Sequence, residues 1–294
     1  MVVATGFFDG VHLGHRRVIS ALVEAARSRG EESLVVTFWP HPRNVLQKDA
    51  RDLRLLSSSS EKRKMLEGLG VDRVEVVEFT KEFSALTAEE YLREYVKGRF
   101  GGTAILLGYD NRIGGDGRSP EEIGTIAEGL GLEVIRTGVV SGESGTAVSS
   151  SKIRSALERG DVEAASAMLG YDYPLLGVVV AGKRLGRAIG FPTANMELYE
   201  PLKLVPGNGA YLVRVHTLGQ TFHGMCNIGV RPTVGDGNAR TVETHIFSFD
   251  EDIYGLDIGI EFLSKIRDEI RFPDLESLKA RLVLDREECL SRLG

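Results

Sequence analysis

The chain has 294 residues, 42% of them hydrophobic and 27% charged, and its formal net charge of −6 is spread evenly over both halves. This length suits two domains with separate cores, and the charge balance excludes the basic surface that nucleic-acid binding needs. We expect no membrane span and no signal peptide. The two isolated cysteines, Cys226 and Cys289, are typical of a reducing compartment, so we expect a cytoplasmic protein. We further expect a monomer or weak homo-oligomer that acts on small molecules.

The first half alternates strand patterns with helix patterns. Strands are predicted at Val2–Thr5, Leu34–Phe38, Val74–Val77, Thr103–Leu107 and Glu133–Ile135. Helices are predicted at His15–Arg29, Glu61–Leu69, Thr87–Val96, Pro120–Leu130, Ser149–Arg159 and Val162–Leu169. Such alternation predicts a doubly wound, Rossmann-like parallel sheet whose ligands bind at the carboxyl ends of the strands.

After Tyr171 the pattern changes to strands separated by turns rich in Gly, Pro and Asn. The strands are predicted at Leu175–Ala181, Tyr211–Val215, Thr221–Ile228, Thr241–Ser248 and Ile258–Phe262, and one helix at Leu275 to about Leu290. This pattern indicates a small antiparallel β-barrel with a C-terminal helix. We therefore predict an α/β domain at residues 1–170 and a β domain at residues 171–294.

Gly6–His15, with the sequence G-F-F-D-G-V-H-L-G-H, is the most informative segment of the first domain. It places His12 and His15 between a strand and a helix, where free N–H groups and a partial positive charge favour phosphate. Two imidazoles there can donate to charge that develops on phosphorus. A hydrogen-bonded loop is the plain alternative, but the density of Gly, Asp and His favours nucleotidyl transfer.

Three further loops are expected near these histidines. Trp39–Pro42 is stiffened by two prolines, and its His41 is equally well explained as a ligand contact or as part of a rigid turn. The glycine-rich segment Gly108–Gly117 offers Arg112 to an anion, although a surface loop has almost the same composition. Ser149–Arg154 combines three serines with two cations at a helix start, which favours triphosphate binding over a plain N-cap.

Four segments together resemble, in the expected order, the N-terminal half of the bacterial bifunctional FAD synthetases, an FMN adenylyltransferase: Gly6–His15, Trp39–Pro42, Gly108–Gly114 and Ser149–Arg154. The resemblance implies a nucleotidyltransferase domain in which His12 and His15 contact ATP phosphates and Asp110, Arg112 and His41 lie near the flavin or ATP. It also implies an ATP site formed by Gly6, Phe7, Asp9, Gly10, His12, His15, Ser149, Ser150, Ser151 and Arg154.

Two features depart from the family pattern. Asn111 and Ile113 stand where the family usually has aromatic residues, which leaves open a weakened adenylyl transfer. Family members also usually begin some residues earlier, which leaves open whether a short N-terminal segment precedes Met1.

The second domain contains a separate glycine-punctuated loop, Gly182–Asn195. Its cations suit an anionic ligand, and its Thr193 and Asn195 are neutral oxygen donors suited to a hydrated magnesium ion. Glu243 lies in a strand-like stretch and is either a general base or an outward-facing carboxylate. The chain has neither a Walker A loop nor G-x-G-x-x-G, which argues against a dinucleotide-dependent dehydrogenase.

This domain resembles riboflavin kinase in four motifs: Gly190–Asn195, Asn227–Thr233, Glu243–Ile246 and Asp252–Gly255. The resemblance implies that Thr193 and Asn195 hold Mg²⁺ and ATP phosphates, and that Glu243 activates the riboflavin 5′-hydroxyl. The implied ATP contacts are Gly182, Lys183, Gly186, Gly190, Thr193 and Asn195.

The whole chain is thus expected to use ATP, riboflavin and FMN as substrates. Two rival hypotheses remain at this point. One is an adenylyltransferase for another phosphorylated acceptor with an unrelated barrel, which the P-T-A-N and E-T-H elements disfavour. The other is a flavin- or nucleotide-binding protein that has lost some or all turnover, which the retained His12, His15, Thr193, Asn195 and Glu243 disfavour.

Overall fold

The computed structural model describes residues 1–46, 53–108, 112–136, 148–182, 185–231 and 239–294. Its contacts divide the chain into two compact units, Met1–Ser150 and Ser151–Gly294.

The first unit is built on a five-stranded parallel sheet with strand order β3-β2-β1-β4-β5. The strands are β1 (Val2–Thr5), β2 (Ser33–Trp39), β3 (Arg73–Glu78), β4 (Ala104–Leu107) and β5 (Glu133–Arg136). The order changes direction between β1 and β4, and ligands of such sheets bind at this point beyond the carboxyl ends of the strands. The segment that follows β1 is Gly6–His15.

Helices cover both faces of this sheet. They are α1 (Leu13–Arg29), α2 (Pro42–Leu46), α3 (Ser59–Gly68), α4 (Lys81–Ser84), α5 (Ala88–Tyr91) and α6 (Pro120–Gly129), with a 3-10 turn at Asp9–Val11. Ile19 and Leu22 of α1 pack on one face of the sheet, and Leu92 and Ile123 pack on the other. The predicted doubly wound fold is therefore confirmed.

Local signals explain where the helices begin and end. Helix α1 ends at Gly30, whose φ of 63° is the left-handed conformation that favours glycine. The predicted capping box at Thr87 and Glu90 is present and starts α5. The sequence predicts one regular helix through Val96, whereas the structure continues from α5 as a π-helix over Leu92–Arg99.

The second unit is a closed antiparallel barrel with strand order β10-β7-β6-β11-β8-β9. The strands are β6 (Tyr173–Val180), β7 (Ala194–Leu198), β8 (Gly209–Thr217), β9 (Gln220–Arg231), β10 (Ala239–Ile246) and β11 (Asp257–Arg267). Its helices are α7 (Ser150–Glu158, which starts at the last residue of the first unit), α8 (Val162–Leu169), α9 (Leu185–Ala188) and α10 (Leu275–Ser291). The barrel and its C-terminal helix are as predicted.

Helix α10 is tied to the barrel by a buried carboxylate. Asp285 is 1% exposed and accepts hydrogen bonds from Arg267 of β11 and from Arg281 one turn earlier. If α10 moved away from β11, the buried Asp285 carboxylate would lose Arg267 and keep an uncompensated charge. This contact therefore fixes the position of the helix.

Strand β7 and the short helix α9 are absent from the sequence prediction. Strand β7 has the sequence A-N-M-E-L, and of its five residues only Met196 is buried. Asn and Glu are depleted in strands, and the pattern has no β-branched residue, so the sequence alone favours a loop there. The strand forms because it is held between β6 and β10 in the closed barrel.

Candidate active sites

The loop after β1 has an irregular backbone. The Gly6 N–H donates to the Val36 carbonyl at 3.0 Å and keeps the start of the loop beside β2. Phe8 and Val11 then adopt positive φ values of 51° and 36°. Bulky residues rarely occupy this conformation, and such strain is found mainly where the surrounding structure enforces it, often at functional sites.

This loop presents His12 and His15 as a stacked pair. His12 is the N-cap of α1, and its Nδ1 accepts a hydrogen bond from the His15 N–H at 3.3 Å. The two ring centroids lie 3.6 Å apart with an angle of 15° between the ring planes. Both imidazoles therefore stand at a helix N-terminus, where the predicted phosphate contacts require them.

His15 is held in its neutral form. Burial, the neighbouring His12 and then Lys62 keep the pKa of His15 well below its ordinary value of 6.5. Its Nδ1 is buried and has no hydrogen-bond partner among the residues that the structure describes. Buried polar atoms are nearly always paired, so this atom is available to a ligand or to water.

Asp9 clamps the loop to a neighbouring segment. Its carboxylate accepts hydrogen bonds from the Leu56 N–H at 3.1 Å, from the Ser57 N–H at 3.0 Å and from the Ser57 hydroxyl at 3.2 Å. The Gly10 N–H also donates to Ser57 Oγ at 3.0 Å. The sequence analysis did not single out Leu56 or Ser57, because a contact made through backbone groups leaves no motif.

The serine segment meets the same loop. Ser150 Oγ donates to the Asp9 carbonyl at 3.2 Å, which brings this predicted ATP contact to the loop. Ser149 immediately precedes α7, and Ser151 and Arg154 belong to its first two turns.

The structure describes two of the predicted flavin-side residues, His41 and Arg112. The His41 ring packs edge-on against the Phe7 ring at a centroid distance of 4.1 Å, which places it beside the loop. Arg112 is exposed, and Asp110 and Asn111 lie outside the described residues. Ile113 is 4% exposed and packs in the core on one face of the sheet, so this departure from the family pattern fills the interior.

In the second unit, glycines of the predicted loop Gly182–Asn195 leave room for other atoms of the same loop. A Cβ on Gly182 would lie 2.3 Å from Asn195 Nδ2, and a Cβ on Gly186 would lie 2.2 Å from the Phe191 carbonyl. Gly190 follows in a left-handed conformation with φ of 86°. Lys183 lies outside the described residues.

Three polar residues form a row across the barrel wall. Glu243 of β10 is the register partner of Asn195 in β7 and of Asn227 in β9. Directly opposite residues in antiparallel strands share one face, with Cβ atoms about 5 Å apart. The structure thus brings the two predicted site residues Asn195 and Glu243 together and adds Asn227, which the sequence analysis quoted in a motif without a role.

The same unit contains a cleft, and its lining includes Ala194 and Thr244, the chain neighbours of Asn195 and Glu243, but none of the three residues of the row. The lining also includes Arg187, Thr193, Tyr254 and the acidic segment Asp250–Asp252. Arg187 and the Thr193 hydroxyl can bind an anionic group, and the three carboxylates of the cleft suit a cation that accompanies it.

His245 holds a segment that lines this cleft. Its Nδ1–H donates to the Pro192 carbonyl at 2.8 Å, and its ring packs against Phe191 at a centroid distance of 5.2 Å. Burial is the main cause that lowers the pKa of His245, so the ring is a neutral donor. The Phe191–Thr193 turn is therefore held against β10, which places Thr193 in the cleft.

Thr193 and Asn195 offer neutral oxygen donors to a metal ion. Among the described residues there is no cluster of three His, Cys, Asp or Glu side chains able to hold a metal ion. Thr193 lines the cleft and Asn195 lies beside the Glu243 carboxylate, a donor set that suits Mg²⁺, which retains waters and binds few protein ligands.

Known families match both halves of the chain. The FAD synthetase family model matches residues 1–152, and the riboflavin kinase family model matches residues 169–293. A bifunctional riboflavin kinase/FMN adenylyltransferase of Bacillus subtilis (strain 168) is 34% identical over 296 residues, covering 98% of this chain and 91% of the relative. Its counterpart in Escherichia coli (strain K12) is 36% identical over 287 residues, covering 97% and 90%.

A solved structure is similar over the same length. A protein from Streptococcus pneumoniae, described as a macrolide-efflux protein, has a TM-score of 0.90 and 33% identity, covering 97% of this chain and 92% of its own. That description belongs to the Streptococcus protein. In the part of the present chain that the structure describes, no helix is long and apolar enough to cross a membrane.

Proposed function

This chain belongs to the bifunctional riboflavin kinase/FMN adenylyltransferase family, and we propose that it performs its two reactions at the two separate sites described above. It phosphorylates riboflavin with ATP to give FMN, and it transfers AMP from a second ATP to FMN, giving FAD and pyrophosphate. The assignment of residues to these reactions is our proposal.

We assign adenylyl transfer to the loop Gly6–His15. A phosphate oxygen of FMN attacks the α-phosphorus of ATP, the bond to the β-phosphate oxygen breaks, and pyrophosphate leaves. Negative charge grows on the non-bridging oxygens and on the leaving group, and preorganised N–H donors stabilise it. The buried Nδ1 of His15, which lacks a partner among the described residues, is the observation that supports this assignment most directly.

His12 and the helix N-terminus complete this site. Because His12 caps α1 and stacks on His15, the two rings have little freedom to move relative to each other. Preorganised groups need not reorient during the reaction, which is the main source of catalysis in such transfers. We assign Ser149, Ser150, Ser151 and Arg154 to the ATP phosphates in the same reaction.

We assign riboflavin phosphorylation to the row Asn195–Glu243–Asn227, and we assign ATP phosphate binding in this reaction to the cleft that Arg187 and Thr193 line. Glu243 accepts the proton of the riboflavin 5′-hydroxyl, the hydroxyl oxygen attacks the γ-phosphorus, and ADP leaves. The supporting observation is the register, which puts the carboxylate between two amide side chains that can hold its orientation. Arg187 of the cleft supplies a cation for the phosphates.

We propose that Thr193 and Asn195 hold Mg²⁺ together with the ATP phosphates. When bound, the ion neutralises charge on the β- and γ-phosphates. The chain's own contribution is to place both donors: His245 holds the turn before Thr193, and Gly182 leaves room for the Asn195 side chain.

We further propose functional domains at residues 1–170 and 171–294. This division keeps the serine segment and α7 with the adenylyl site that they serve. The two buried thiols support a reducing, cytoplasmic location, since burial raises the pKa of both Cys226 and Cys289 to about 12 and keeps them unreactive. The net charge of −6 supports action on small molecules rather than on nucleic acid, as a monomer or weak homo-oligomer.

The test of the two-site assignment is a product analysis. Purified full-length protein is incubated with riboflavin and Mg-ATP, or with FMN and Mg-ATP, and the flavins are separated by chromatography. The proposal requires His15→Ala to stop at FMN, because its kinase site is untouched. Unchanged FAD output from this variant would remove the histidine loop from the mechanism.

A further inference from the structure

Lys62 of α3 is a buried cation beside the adenylyl site. Its side chain is 1% exposed, although lysine is almost never fully buried without a partner. The sequence places it in the polar stretch Glu61–Lys64, which indicates a solvent-exposed helix face. Burying an ammonium group costs free energy unless its N–H donors form hydrogen bonds, so the buried position of Lys62 requires an explanation.

The ammonium group of Lys62 is directed at Phe7. Its Nζ donates to the Phe7 carbonyl at 2.9 Å and lies 3.8 Å from the centroid of the Phe7 ring. The Thr37 hydroxyl donates to the same carbonyl at 3.1 Å. Two donors from two elements thus fix one peptide group, and that peptide directly precedes Phe8, whose positive φ begins the strained turn.

The charge of Lys62 also reaches the polar groups of the loop. It interacts with the Asp9 carboxylate and the His15 imidazole. His12 stacks on His15, and Arg16 Nε donates to the Val11 carbonyl at 3.2 Å. Burial lowers the pKa of Lys62 to about 8, and attraction to Asp9 opposes this shift. The lysine in turn adds to burial and His12 in lowering the pKa of His15.

We propose that Lys62 is a positioning residue for adenylyl transfer, which holds the turn Phe7–Gly10 in the conformation that presents His12 and His15 to the nucleotide. The proposal rests on the adenylyl site assigned above. A peptide group held by a buried charged donor is fixed more firmly than one held by a neutral donor. The same charge adds to burial and His12 in disfavouring protonated His15.

The test compares Lys62→Met with Lys64→Met in the full-length protein. Methionine keeps an unbranched side chain one atom shorter than lysine and removes its charge and donors, and Lys64 is an exposed residue of the same helix. We expect Lys62→Met to lower kcat for FAD formation from FMN by about 10- to 100-fold, the scale of a misplaced catalytic group. Riboflavin phosphorylation stays unchanged in both variants, and Lys64→Met keeps full adenylyl activity.

A spectroscopic readout separates positioning from a general loss of structure. In protein labelled on its six histidines, the His15 signal is assigned by comparison with His15→Gln and titrated by NMR. Removal of the neighbouring cation raises the pH at which His15 titrates in Lys62→Met, whereas Lys64→Met leaves it in place. An unchanged adenylyl rate or an unchanged His15 titration overturns the proposal.

Two further variants remove the remaining ambiguity. If Lys62→Met does not fold, Thr37→Val removes the other donor to the Phe7 carbonyl, and it must slow adenylyl transfer while sparing the kinase; an unchanged rate overturns the proposal. His15→Ala is assayed in parallel. If His15→Ala keeps adenylyl activity, the assigned site itself is wrong, whereas loss in His15→Ala with a normal Lys62→Met defeats only the role of Lys62.

Discussion

Glu243 and Asn195 lie directly opposite each other in the ladder between β10 and β7. Their positions depend on a strand that the sequence did not predict, since β7 pairs only inside the closed barrel. The barrel therefore does more than provide a core. It places two residues that are 48 positions apart in the chain next to each other on one face of the sheet.

Gly182→Ala should damage the kinase reaction selectively. The added Cβ would lie 2.3 Å from Asn195 Nδ2, a distance that real Cβ contacts do not show, so the amide must leave its present position. We expect kcat for riboflavin phosphorylation to fall by about 10-fold or more, in line with the cost of a small misplacement. FAD formation from supplied FMN should be unchanged. The exposed neighbour Ala181, replaced by Ser, is the control, and equal kinase rates for the two variants would contradict the packing argument.

The sequence predicted the regular elements well wherever a local signal marks them. Gly30 ends α1, and the Thr87–Glu90 capping box starts α5, because both signals act within one or two turns of helix. Leu56 and Ser57 could not be found in this way. Leu56 and Ser57 lie 47 and 48 positions after Asp9 in the chain, and two of the groups with which they bind its carboxylate are backbone N–H groups.

The sequence predicted which residues form the candidate sites better than it predicted the surroundings of those residues. The H-x-G-H spacing pointed to His12 and His15, but nothing in it indicated a stacked pair with centroids 3.6 Å apart. A lysine in a charged helical stretch is expected at the surface, and only the three-dimensional packing buries Lys62. The riboflavin kinase and FMN adenylyltransferase activities expected from the motifs are confirmed by both family matches.

Asp9→Ala should destabilise the first unit more than Ser57→Ala does. Asp9 accepts bonds from Leu56 and Ser57, and its loss leaves buried N–H donors unsatisfied, at a cost of about 1–3 kcal/mol. Ser57→Ala removes only the hydroxyl contacts to Asp9 and Gly10, which are worth about 1 kcal/mol. Urea unfolding of both variants measures the difference. An Asp9→Ala variant no less stable than Ser57→Ala would show that the clamp contributes little.

His15 should make the stability of the protein fall in mild acid. Its pKa in the folded protein lies below the ordinary value of 6.5, so the unfolded chain binds a proton first as the pH falls. The free energy of unfolding therefore decreases as the pH falls through the range below 6.5, and it increases again as the pH rises through that range. Thermal unfolding between pH 7 and pH 5 should show a smaller decrease in His15→Gln than in the unchanged protein. The same decrease in both would mean that His15 carries no burial penalty.

The separation of the two reactions is tested most directly by Glu243→Gln in the full-length protein. The substitution keeps the shape of the side chain and removes the proton acceptor of the kinase site. With riboflavin and Mg-ATP, chromatography should show no FMN and no FAD; with FMN and Mg-ATP, it should show FAD at the rate of the unchanged protein. Loss of FAD formation from supplied FMN, or continued phosphorylation of riboflavin, would contradict the account.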